Sequence, residues 1–138
     1  GASYAEIARA GGGIQASARR MRSASAQSLQ SHLENIIRLF LEYGTTTAEV
    51  KSGYGLEVSQ ELKMLRVISE VSRQGTFDLV PTVLAHAVPD RLRTKRATYL
   101  ALLTQQLIPK AAQAGLADFC DVFCDRGYFS GLSFPDSR

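Results

Sequence analysis

The side chains best suited to chemistry fall in three short stretches. In KSGYGLEVSQELKMLR, Tyr54 stands between Gly53 and Gly55. A phenol can donate and accept one hydrogen bond each, and flanking glycines let the backbone turn with positive φ and approach a ligand closely. Tyr54 taken alone serves equally well as a cover for the end of a core, its hydroxyl satisfied locally. His86 precedes Ala87, Val88 and the rigid Pro89. It is either a hydrogen-bonded structural histidine or a catalytic one. The third stretch is Asp125-Arg126-Gly127-Tyr128.

Other combinations offer less. GGGI at residues 11–14 lacks the lysine and hydroxyl residue of a phosphate-binding loop and does not follow a strand, so it reads as a plain loop. His32 lies beside Ser31 and Glu34 on the polar side of a helix and reads as solvated. Asp121 and Asp125 are four apart, a spacing that a strand does not bring together. Cys120 and Cys124, in an apolar strand-like stretch, read as reduced core thiols rather than a disulfide. The chain has 2 histidines and no pair at metal-ligand spacing. A catalytic metal needs three protein ligands and an open position, so no metal site is expected from this chain alone.

The elements that must position these residues follow from periodicity. Ser3 and Glu6 form a capping-box pattern for a short helix over SYAEIARA, ended by glycines. From about Ala16 to Tyr43 the chain reads as helical, with Leu29, Leu33, Ile36, Ile37, Phe40 and Leu41 on one face and a stop at Gly44. Residues 45–50 are rich in β-branched types and read as a strand. A helix beginning after Ser59 carries Leu62, Leu65, Ile68 and Val71 toward Gly75. Residues 77–85 give a second strand, apolar without strict alternation, as for a strand covered on both faces. Lys95 to Ala114 is a helix bent or broken near Pro109, and residues 118–124 form a third strand. Strands alternating with helices predict right-handed crossovers in a parallel sheet, whose carboxyl ends carry the functional loops. Tyr54, His86 and Asp125 all follow predicted strands.

Composition narrows the setting. The net charge of +3 is scattered over the chain, unlike the basic face or stripe of a nucleic-acid-binding protein, so no nucleic-acid partner is expected. No apolar run approaches the roughly 20 residues of a membrane span, and no signal-peptide pattern opens the chain. The expected setting is soluble and cytoplasmic, without a membrane. With 45% hydrophobic residues, residues 1–138 are expected to form a single unit around one core. A closed (β/α)8 barrel needs roughly 250 residues. Three strands, an opening residue other than Met and an end soon after the third strand suit part of a barrel.

Four blocks, GASYAEIARAGGGI, EVKSGYGLEVSQELKMLRVI, PTVLAHAVP and DVFCDRGYFS, resemble the imidazolonepropionases of the amidohydrolase superfamily in order and separation. The resemblance covers essentially the whole chain, and the KSGYGL block is its most specific part. It implies an α/β fold that is an internal fragment of a (β/α)8 amidohydrolase barrel, about three parallel strands with intervening helices. It also implies a parent enzyme that uses a metal-activated water, with zinc or iron, to hydrolyse 4-imidazolone-5-propanoate to N-formimidoyl-L-glutamate in histidine degradation. The family's metal-binding and acid/base residues fall upstream and downstream, so no catalytic or metal-binding residue carries over and no bound metal is expected. Tyr54 and His86 carry over as substrate-binding positions. The isolated chain is expected to be inactive, and its uncovered strand edges and helix faces to cause self-association.

Two departures stand out. The family reads Leu-Gly-Ala-His where this chain runs from Leu84 to Ala85 and His86, one glycine short. Side chains alternate across a strand, so the deletion turns His86 to the other face unless the loop absorbs it. Asp125 replaces the usual glutamate. The missing glycine and missing metal ligands also suit a non-catalytic α/β scaffold or interaction module derived from such an enzyme.

Overall fold

A computed structural model describes residues 13–124 of the chain. The proposed capping box at Ser3 and Glu6, its helix, and the Asp125 stretch lie outside the described residues. Element order is α1 (Gly13–Ser23), α2 (Ala26–Glu42), β1 (Thr47–Lys51), α3 (Val58–Ser72), β2 (Asp78–Ala85), a 3-10 turn (Asp90–Leu92), α4 (Arg96–Leu102), a π-helical segment (Leu103–Leu107), α5 (Ile108–Gln113) and β3 (Phe119–Val122). The strands form one parallel sheet in the order β1-β2-β3. Lys51 registers with Thr82, and Thr82 with Phe119. This is the α/β arrangement expected for part of an amidohydrolase-type barrel.

Register and alternation divide the sheet into two chemically different faces. On one, Val83 and Ala85 of β2 are buried in a cluster with Leu62, Leu65, Ile68 and Val71 of α3 and with Leu103, Leu107 and Ala111 from the helical stretch after β2. Burying each such leucine or isoleucine contributes about 2 kcal/mol against leaving it in water. The opposite face is polar. There Thr82 donates to Glu49 at 2.7 Å, and Lys51 pairs with Asp121 at 2.5 Å and with Glu49 at 3.5 Å. The Asp121 carboxylate holds the Lys51 ammonium charged by raising its pKa, and Lys51 lowers that of Asp121.

Local chemistry explains where the helices break. The stretch expected to run unbroken from Ala16 is two helices, because Ser25 caps α2 by accepting the Ser28 N–H at 3.0 Å. Lys63 of α3 donates to the carbonyls of Met21, Arg22 and Ala24, satisfying the end of α1. The expected loop at residues 11–14 is corrected in its described part, since Gly13 and Ile14 already belong to α1. Before Pro109 the chain widens into the π-helical segment, which contains Gln105, the residue whose carbonyl a regular helix would press against the proline ring. Pro81 is tolerated in central strand β2 because residue 82 faces β1. The Pro81 nitrogen therefore faces the β3 side, below the start of that strand at Phe119.

The cysteines are a correction. Cys120 and Cys124 are both free and both exposed, not core thiols, because no described helix covers the β3 edge as α3 covers β2. Partial burial, with Asp121 adding to it, raises the Cys120 thiol pKa and slows its alkylation at neutral pH. Ellman's reagent is expected to titrate two thiols per chain without denaturant; reaction only after unfolding would contradict their exposure. Leu39, Leu41, Tyr43, Phe119 and Phe123 are also exposed among the described residues.

Candidate functional site

The site is built by letting two neighbouring strands end in step. Past Lys51 the ladder continues for one more bond, from Ser52 N–H to Thr82 C=O at 3.0 Å. The Ser52 hydroxyl then accepts the Leu84 N–H at 3.3 Å, so a side chain takes over where the β1 backbone turns away. The chain enters the loop carrying Tyr54. Gly53 has φ +108°, and a Cβ there would lie 2.9 Å from the Leu84 carbonyl oxygen. A Cβ on Gly55 would lie 2.8 Å from the Glu61 nitrogen at the start of α3. The first glycine lets the loop press on β2, and the second lets it press on α3.

Glu61 closes this loop from below. Its side chain is 1% exposed and its two oxygens accept the N–H groups of Gly53 at 2.6 Å and Leu56 at 2.8 Å. Burial raises its pKa, and the hydrogen bonds from Gly53, Leu56, Ser52 and Gly55 oppose that rise. Leu56, itself buried, is held at φ +56°, a conformation that costs a non-glycine residue roughly 1–2 kcal/mol. Helix α1 covers the loop from above. Ala18 packs with Leu56 and Ala87, Arg22 donates to the Gly55 carbonyl, and Gln15 donates to the Val88 carbonyl.

This scaffold brings Tyr54 and His86 together. Their ring centroids are 4.8 Å apart in an edge-on arrangement with an interplanar angle of 72°. Phe123, just past β3, also meets the His86 ring edge-on, at 5.4 Å. The glycine missing before His86 has not turned the ring away from Tyr54. Alternation carries on from Leu84 to His86 on the polar face of the sheet, while Ala85 and Ala87 stay buried. Among the described residues the His86 Nδ1 atom is buried without a hydrogen-bond partner, and burial lowers the pKa of the ring. Burial thus favours the neutral form of the half-buried ring. His32 is exposed on α2.

Glu61, Ser52 and the Lys51–Asp121 pair were not singled out by sequence reasoning as site components. For Glu61 one cue existed, an acidic residue in the first turn after a glycine-rich loop. The Lys51–Asp121 contact joins residues 70 apart and depends on register. A cleft of about 550 Å³ lies elsewhere, lined by Glu61, Arg66, Arg91, Tyr99 and Lys110 but by neither Tyr54 nor His86. Among the described residues no three His, Cys, Asp or Glu side chains gather closely enough to hold a metal ion.

An imidazolonepropionase of Myxococcus xanthus is 47% identical over 131 residues, covering 94% of this chain and 31% of its own length. The sequence matches the imidazolonepropionases. The imidazolonepropionases of Geobacillus thermodenitrificans and Desulfotalea psychrophila are 44% and 41% identical over 131 residues, again across 94% of this chain. The chain spans about a third of the length of these relatives, as a fragment of an imidazolonepropionase would. No family model matches it. No described helix is long and apolar enough to cross a membrane.

Proposed function

We propose that this chain is a segment of a metal-dependent cyclic amidohydrolase, an imidazolonepropionase, and that it supplies the substrate-holding loops at the ends of two adjacent barrel strands. The parent reaction would hydrolyse 4-imidazolone-5-propanoate to N-formimidoyl-L-glutamate. Water adds its oxygen to the ring carbonyl carbon, the ring C–N bond breaks, and the released nitrogen takes up a proton. In this reading the segment's part in the reaction is binding and orientation, through Tyr54 and His86.

The observation that carries this reading is the Tyr54–His86 pair with its unsatisfied Nδ1. A buried polar atom without a partner costs about 1–3 kcal/mol; in this reading the His86 ring turns to present the nitrogen to substrate, which relieves that cost. Tyr54 would donate through its hydroxyl and His86 would hydrogen-bond as a neutral imidazole. Both can polarise a carbonyl or hold the planar ring without changing charge.

The test compares two proteins. A longer in-frame protein including the metal ligands, loaded with zinc or iron, is expected to hydrolyse 4-imidazolone-5-propanoate. The 138-residue chain, treated identically, is expected to give no turnover above buffer. Turnover by the short chain would overturn its role as a binding segment. A longer protein that is folded, metal-loaded and inactive would favour the non-catalytic α/β module.

A further inference from the structure

The segment between β1 and α3 has little regular structure to hold it. Four residues, Gly53 to Leu56, separate the end of the sheet ladder at Ser52 from the residue preceding α3. Both outer members donate their N–H groups to opposite oxygens of one carboxylate, that of Glu61, at 2.6 and 2.8 Å. The two inner members are Tyr54 and Gly55. Leu56 is driven into positive φ and buried, so the loop is bent around the carboxylate rather than resting on it. A carboxylate is the side chain that fits, since it presents two acceptor oxygens and no donor to converging N–H groups.

We propose that Glu61 is a positioning residue of the Tyr54–His86 site: its carboxylate sets the loop curvature that delivers the tyrosine ring to the histidine. This deepens the functional reading above and rests on it for the site's purpose, but the geometric claim is separate. Glu61 touches neither ring in the contacts described, and it acts through the peptide groups on either side of Tyr54. A merely structural glutamate would support the fold and leave the ring contact to follow the fold's survival. A positioning glutamate predicts that the ring contact is lost before the fold is.

Glu61→Gln separates the two. The variant keeps size and shape but points an NH2 group at one of the two N–H donors, so the loop cannot keep both bonds. In the full 138-residue chain, the nuclear Overhauser contact between the Tyr54 and His86 rings is expected to fall about tenfold in intensity, with the far-UV circular dichroism unchanged. Val71→Ala, a cavity at the far end of the same helix, is expected to lower the urea midpoint and leave the ring contact intact. Ser52→Ala removes a hydroxyl that lowers the Glu61 pKa and accepts the Leu84 N–H, and is expected to weaken the contact about threefold. This milder change covers the case in which Glu61→Gln does not fold. An undiminished ring contact in folded Glu61→Gln would sink the proposal, as would an unchanged contact in Ser52→Ala or an equal loss in Val71→Ala. None of these readouts uses a ligand, so they stand or fall independently of which substrate the site takes.

Discussion

Gly53→Ala is expected to destabilise the chain by about 2–6 kcal/mol, the sum of two costs that fall on the same atom. The first is conformational. At φ +108° an L-residue has its Cβ forced against its own backbone, which costs roughly 1–3 kcal/mol where the surroundings hold the strain. The second is steric. The new methyl would lie 2.9 Å from the Leu84 carbonyl oxygen and 3.1 Å from the Leu84 Cβ, and the oxygen belongs to a strand paired on both sides. Gly55→Ala separates the two costs. No positive φ is involved there, but its methyl would meet Gln60 Cβ and the Glu61 nitrogen at 2.8 Å, so only overpacking at the start of α3 is paid, roughly 1–3 kcal/mol. Urea unfolding should order the proteins as wild type, Gly55→Ala, then Gly53→Ala, with unchanged m-values. A Gly53→Ala midpoint within error of wild type would show that the loop is free to lift from β2.

The contrast between these glycines marks what could be read from the sequence. That two glycines around a tyrosine free the backbone is legible in KSGYGL, as are the strand before it and the helix after it. Apolar patterning also located α3 and β2, because burial against a parallel sheet leaves the same imprint wherever it occurs, and Pro109 itself marked the break in the helix that follows. Which surface each glycine presses on is not legible. Leu84 and Gly53 meet only once β1 and β2 are paired in register. The same holds for the Lys51–Asp121 pair, whose partners lie on strands separated by β2. The exposed cysteines depart from the sequence expectation for a related reason. An apolar strand predicts a covered strand, and β3 is an edge with no described neighbour beyond it. The missing glycine before His86 raised a question of facing that alternation within the chain could not answer. The structure answers it through the position of the Leu84–His86 row above the polar face, where Tyr54 reaches it.

In the longer, metal-loaded protein, Tyr54→Phe and His86→Ala are each expected to lower kcat/KM for 4-imidazolone-5-propanoate by about 10²–10³-fold, the range seen when one preorganised donor is removed. The two effects should not multiply. With the rings in edge contact at 4.8 Å, either substitution loosens the partner as well as removing its own bond, so the double variant should retain at least about fivefold more activity than the product of the singles predicts. Independent effects would place the residues at separate points on the substrate. The pH dependence supplies a second check. Burial lowers the His86 pKa below its ordinary value of 6.5, so the neutral ring is the form the fold favours. The stability this contributes is complete above the unfolded value and is lost as pH falls through the lower folded one. Substrate binding through a neutral His86 should follow the same limb, holding from pH 8 to below 6.5 and failing only as the buried ring takes its proton. In His86→Ala that acid limb should disappear. Its persistence would assign the titration to another group and leave His86 as packing between Tyr54 and Phe123.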